Sequence, residues 1–267
     1  MPKDEAWYWD EVARKWPLKT HSDELLLEHK RKAHLDLVAK WAESGGRQRV
    51  LKTDLFEEAF GSDQFLFDLA KERGNMMGMD ISVEITSRAK RRATYFGVDF
   101  CEYICCDIRQ LPFRSNSIDL VISNSTLDHF HDEREIIAAL KELRRVLTAG
   151  GTLILTMDNK SNLGEPIHRL WALLGLAPFF IGKAYSVREL RRIVEGVGFR
   201  IEDATAIIHR PWFSSILIAR LLRRLDNRRF DPKIRKALAF SDSLEKRKTK
   251  YLTGLYIAVK AVKGDTT

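Results

Sequence analysis

The chain has 267 residues, 45% of them hydrophobic, with 15 glycines and 7 prolines; this supplies one sizeable core and excludes a disordered or collagen-like chain. The net charge of +8 is local: residues 210–250 hold 13 basic and 4 acidic side chains, so that segment is +9 and the remainder is 8 − 9 = −1. The basic balance therefore belongs to one region and is no general sign of nucleic-acid binding.

The N-terminus, MPKDEAWYWD, lacks the basic-then-apolar pattern of a signal peptide, and no segment reaches the ~20 apolar residues of a membrane span, so a cytosolic protein is expected. Trp7, Tyr8, Trp9 and Trp16 predict a short helix or lid. Residues 23–43 set Leu27, His34, Val38 and Trp41 on one helical face, and SGGRQ then breaks the chain. Residues 1–46 thus read as an N-terminal helical cap and 47–267 as the main domain.

From Arg49 the pattern alternates. Strands are predicted at 49–53, 75–80, 102–106, 118–123, 152–157, 200–208 and 254–262, with helices at 63–73, 83–96 and 133–147 and one opened by Ser186 with Glu189 three residues on. Asp132 and Glu135 predict a capping box, Arg144 and Arg145 complement the dipole of the same helix, and Gly150-Gly151 are read as its stop. This order implies a Rossmann-like, doubly wound α/β fold: a mostly parallel seven-stranded sheet with helices on both faces. Helical inserts interrupt it at 160–185 and 211–250, the second arginine-rich and amphipathic. Cys101, Cys105 and Cys106 share one predicted strand without paired metal-ligand spacing; they are read as buried, reduced thiols, and no metal is expected.

In such sheets ligands bind beyond the carboxyl ends of the strands. Polar residues follow four successive strands there: Asp54, Asp80, Asp107, and Asn124 with Asp128. The first loop, TDLFEEAFG, carries Asp54, Glu57 and Glu58 where a dinucleotide site would want glycines, and acids repel phosphate. A ligand with an ammonium, a ribose and an adenine but no phosphate fits, as S-adenosylmethionine does. An alternative is that Glu57 and Glu58 simply open a helix and favour its dipole.

Carried by GMDIS, CCDIRQLPFRSNSIDLVISNSTLDHF and ELRRVLTAGGTLILTMDN, residues 49–160 resemble the class I S-adenosylmethionine-dependent methyltransferases, in particular those acting on small molecules. The resemblance implies that Asp80 accepts the ribose hydroxyls with Met79 and Ile81 beside the sugar, that Asp107 takes the adenine amino group with Ile108 against the ring, and that Asn124 lines the methionine moiety. The first motif departs from the family pattern, an acid followed by GxGxG, because Lys52 and DLFEEAFG occupy its place. Asp54, with Phe56 and Glu57 beside it, is expected to bind the cofactor there, one of the loop's acids pairing with the cofactor ammonium.

If the acceptor needs a base, Asp128, His129 and His131 are the candidates. The N-terminal segment and the region after the fifth strand, where this family forms its acceptor pocket, are aromatic, with Tyr8, Trp171, Phe179 and Tyr185 as candidate pocket residues. They imply a hydrophobic acceptor such as a lipid, quinone or polyketide, or else packing of the inserts on the core. The basic 211–250 segment adds an expected contact with anionic membrane. Two other readings stay open: RNA methylation, for which SNSTLDHF lacks the Pro-Pro-aromatic or Pro-Cys signature of base-modifying enzymes, and a non-catalytic scaffold. Oligomeric state is not readable from the sequence.

Overall fold

A computed structural model describes residues 4–16, 24–42, 48–61, 64–73, 76–98, 101–175, 180, 182–209 and 229–264. Two helices lead, α1 (Glu5–Lys15) and α2 (Glu24–Trp41). Then come β1 (Val50–Thr53), α3 (Phe56–Phe60), α4 (Phe65–Arg73), β2 (Met76–Asp80), α5 (Val83–Tyr95), β3 (Cys101–Cys105), β4 (Ile118–Asn124), α6 (Glu133–Val146) and β5 (Leu147–Asp158). The C-terminal part adds α7 (Glu165–Leu173), α8 (Val187–Gly196), β6 (Phe199–Ile207), α9 (Asp231–Asp242), α10 (Lys250–Thr253) and β7 (Tyr256–Lys263).

The seven strands form one sheet in the order β3-β2-β1-β4-β5-β7-β6, and β7 alone runs antiparallel to its neighbours. The chain builds outward from β1 to β3, returns to the other side of β1 as β4, and so reverses direction between β1 and β4, where such folds open a binding crevice. Strand residues alternate between two cores: Val50, Leu120, Ile122 and Ile154 face one, while Leu51, Val121, Leu153 and Leu155 face the other. The first core is closed by Leu37, Val38 and Trp41 of α2 with Phe65, Leu66 and Leu69 of α4; the second by Ile136, Leu140 and Leu143 of α6 with Leu190 and Val194 of α8.

Both expected capping boxes are present, at Asp132/Glu135 and Ser186/Glu189. The α6 helix ends four residues before the glycines read as its stop. Its last carbonyls, of Arg145 and Val146, accept the Asn116 and Ser117 N–H groups, and Leu147 already pairs with Ile118 of β4. The cysteines are free, but Cys105 is exposed rather than buried, because β3 is the edge strand. Of the inserts, α7 buries none of its residues and leaves Ile167, Leu170 and Leu173 exposed. The arginine-rich stretch at 210–228 and the predicted pocket residue Phe179 lie outside the described residues. Among the described residues no helix is long and apolar enough to cross a membrane.

Candidate functional site

The order β3-β2-β1-β4-β5 sets one acid at or just beyond the carboxyl end of each strand: Asp107, Asp80, Asp54, Asp128 and Asp158. Neighbouring strands lie about 4.8 Å apart, so the five form a row along one rim.

The first loop holds its bend without glycine. Asp54 has φ +67°, the left-handed region, and its Oδ1 accepts the Phe56 N–H at 2.7 Å, an Asx turn that suits Asp to this conformation. Beneath it the buried Lys52 ammonium donates to the Asp54 carbonyl and, at 2.8 Å, to the fully buried Glu58 carboxylate. Glu58 also accepts the Leu66 N–H at 3.1 Å, so one buried ion pair ties β1, α3 and α4 together. Glu57 is paired with Lys30 of α2 at 2.6 Å. Of the loop's acids, Asp54 alone has no cation within ion-pair distance among the described residues. Glu57 and Glu58 do sit in the short helix α3, as their alternative reading held, and each is held by a lysine.

Asp80 is 7% exposed. Its Oδ2 accepts the Leu55 N–H at 3.0 Å and its Oδ1 the Ser82 N–H at 2.9 Å, which leaves each oxygen one further lone pair. Burial, with Asp54 nearby, raises its pKa from 3.8 to about 7; burial raises Asp54 as well. Asp107 is gripped by Arg109 through contacts of 2.7–3.0 Å, and the same guanidinium reaches Glu135 at 2.9 Å and Glu5 of α1 at 2.9 Å while lying over the Phe130 ring. Ile81 is half-buried, and Ile108 is buried in the second core.

The α1 helix lies across this rim. Asp10 accepts from the Ser82 hydroxyl at 2.5 Å and the Glu84 N–H at 3.0 Å, adding an acid to the N-terminus of α5. The Tyr8 hydroxyl accepts the Phe180 N–H at 2.7 Å. Trp9 meets His129 edge-on at 4.9 Å and Phe56 at 6.5 Å, and Trp16 meets Phe56 at 4.9 Å. The tryptophan-rich helix thus spans the ends of β1 to β4 as an aromatic wall.

The three proposed bases differ in setting. Asp128 is 2% exposed; its Oδ2 accepts the Ser125 hydroxyl at 2.7 Å and the Asp158 N–H at 2.9 Å, and its buried Oδ1 has no partner among the described residues. His129 sets Nδ1 3.2 Å from the Phe180 carbonyl oxygen, and His131 is exposed and packs on the Phe180 ring at 3.9 Å. Of the remaining pocket candidates, Trp171 is half-buried on α7, while Tyr185 is buried in the second core with its hydroxyl near Glu133 and Glu189, away from the aromatic wall. Burial moves that hydroxyl up to about 12.

The acid the sequence reading missed is Asp158. Its signal was TMDN, a carboxylate directly ending a buried strand. Burial, then Asp128 and Glu165, holds its carboxyl well above the usual range.

These residues fit S-adenosylmethionine at the chemistry of the donor set: carboxylates able to accept from hydroxyl and amino groups, and a buried Asn124 Nδ2 donor with no partner among the described residues, able to donate to a carboxylate. Residues 56–155 match the family model for a methyltransferase domain. A probable tRNA methyltransferase 9B of Bos taurus is 34% identical over 79 residues, 30% of this chain and 16% of that one. A malonyl-[acyl-carrier protein] O-methyltransferase of Halorhodospira halophila is 28% identical over 103 residues, 39% of this chain and 33% of that one. The chain therefore spans about a sixth of the first relative's length and a third of the second's. In fold, it is similar to phosphoethanolamine N-methyltransferase 2 of Haemonchus contortus in complex with S-adenosyl-L-methionine: TM-score 0.59, 22% identity, 88% of this chain and 53% of that one.

Proposed function

We propose that this chain, whose residues 56–155 match the methyltransferase-domain model, is a class I S-adenosylmethionine-dependent methyltransferase that transfers a methyl group from S-adenosylmethionine to a small acceptor. The observation that carries the reading is the row of strand-end carboxyls with Asn124 among them. Asp80 accepts the ribose hydroxyls through the lone pairs that Leu55 and Ser82 leave free, with Ile81 beside the sugar. Asp107, oriented by Arg109, takes the adenine amino group next to Ile108. Asp54 receives the ammonium of the methionine moiety in place of a glycine cradle, and Asn124 donates to its carboxylate.

When bound, the cofactor supplies an electrophilic methyl group on sulfur. Displacement there needs alignment more than acid or base, so positioning is the protein's main contribution. The wall of Tyr8, Trp9, Phe56 and Phe180 receives an apolar acceptor body and excludes water.

A second reading, an RNA acceptor, is favoured by the similarity to the probable tRNA methyltransferase 9B of Bos taurus. Methyl-labelled S-adenosylmethionine offered with a lipophilic metabolite extract and, separately, with bulk tRNA separates the two. Label in the metabolite fraction alone supports the proposal; label in tRNA alone overturns the small-acceptor part of it.

A further inference from the structure

Beyond the cofactor, the β4–β5 end of the rim has a charge imbalance that the family reading does not use. Asp128, in the turn that follows β4, and Asp158, the last residue of β5, are joined by the Asp158 N–H donating to Asp128 Oδ2. Neither carboxyl has a cation within ion-pair distance among the described residues. Lys30, the cation that acts on Asp158 from a distance, is engaged by Glu57 at 2.6 Å. Asp158 faces Tyr256 across the β5–β7 pair, and the residue as a whole is half-buried. The independent pointer to a ligand is Asp128 Oδ1, an acceptor on a side chain 2% exposed with no donor among the described residues. Such an atom costs stability until a donor fills it. Among the described residues no three His, Cys, Asp or Glu side chains are arranged to hold a metal ion.

An organic cation answers both deficits, by donating to the open acceptor and balancing the carboxyls. A hydroxyl acceptor answers only the first, and a carboxylate or phosphoryl acceptor worsens the second. The aromatic wall at Trp9 and His129 offers the apolar body of such a cation a surface on the same rim.

Building on the proposed methyl transfer, we propose that Asp128 and Asp158 form the acceptor subsite for a lipophilic primary or secondary amine, with Asp158 as the base. The ammonium R–NH3+ passes one proton to the Asp158 carboxylate. The freed nitrogen lone pair then attacks the sulfonium methyl of the donor, forming the C–N bond as the C–S pair returns to sulfur. The products are the methylated ammonium, S-adenosylhomocysteine and protonated Asp158, which loses its proton to water. Burial and the neighbouring Asp128 bring the base closer in proton affinity to an amine than an ordinary carboxylate is.

The test is calorimetric titration of the full chain saturated with S-adenosylhomocysteine, using phenethylamine, tryptamine and N-methylbutylamine beside 2-phenylethanol and phenylacetate. The expected result is binding of the amines about tenfold or more above the alcohol, no phenylacetate binding, and a loss of roughly 30-fold in Asp158→Asn. That variant should hold S-adenosylhomocysteine as the unchanged chain does, which shows that it folds. Equal affinity for amine and alcohol, an unaltered amine affinity in Asp158→Asn, or failure of every amine to bind the loaded protein overturns the proposal. Failure of S-adenosylhomocysteine itself to bind overturns the underlying function instead.

Discussion

Replacing Asp80 with Asn changes the pH dependence of stability in a direction the structure fixes. Asp80 is 7% exposed, accepts only two N–H groups and stands near Asp54, so burial and like charge raise its pKa from 3.8 to about 7. A carboxyl raised in the folded state binds more protons there than in the unfolded chain. Its stabilising effect is therefore complete below the unfolded value and is lost as pH rises toward the folded one. With one unit worth about 1.36 kcal/mol, a gap of this size costs a few kcal/mol, on the order of 2–3 kcal/mol of it between pH 5 and pH 8. Asn keeps one acceptor and carries no charge, so the variant should lack this decline. Urea unfolding of both proteins at pH 5 and pH 8 measures it, and the wild type should lose on the order of 2–3 kcal/mol more than Asp80→Asn across that interval. Parallel losses would refute the assignment of a buried, proton-holding Asp80.

Three further outcomes are expected. Lys52→Met leaves Glu58 buried without its cation and should cost about 3–5 kcal/mol, whereas Lys52→Met with Glu58→Leu should recover most of that loss in chemical denaturation. Arg109→Ala removes the tie between Asp107 and Glu5 and should speed amide exchange in α1 by about tenfold while leaving the core amides unchanged, since charge-assisted bonds of this kind are worth about 1.5 kcal/mol. At Gly182 a Cβ would stand 2.1 Å from the Asp128 carbonyl oxygen and 2.7 Å from that of Phe130, both backbone atoms; Gly182→Ala should destabilise by about 1–3 kcal/mol, read as a lower melting temperature.

The α/β order, all seven strands and both capping boxes were legible because each rests on local signals: period, caps and strand-end acids. Residues whose setting depends on a distant partner were not. Glu58 read as a free loop acid because its burial depends on the left-handed turn at Asp54 bringing Lys52 beneath it. The end of α6 was misplaced because residues 116–118, some thirty positions earlier, take up the helix's last carbonyls before Gly150 is reached. Tyr185 looked like a pocket aromatic, yet the pairing of its backbone with Asn159 turns the ring into the second core. Asp158 stayed unseen because its neighbours come from distant parts of the chain, Asp128 from the turn after β4 and Tyr256 from β7.

The most direct test of the account is calorimetric titration of the purified chain with S-adenosylmethionine and S-adenosylhomocysteine, with NAD as control. Saturable binding of the first two alone, weakened in Asp80→Ala and Asp107→Ala, is the predicted result. Absence of binding by either would mean that the glycine-free loop at Asp54 closes the crevice, and the chain would then be a methyltransferase fold serving as a scaffold.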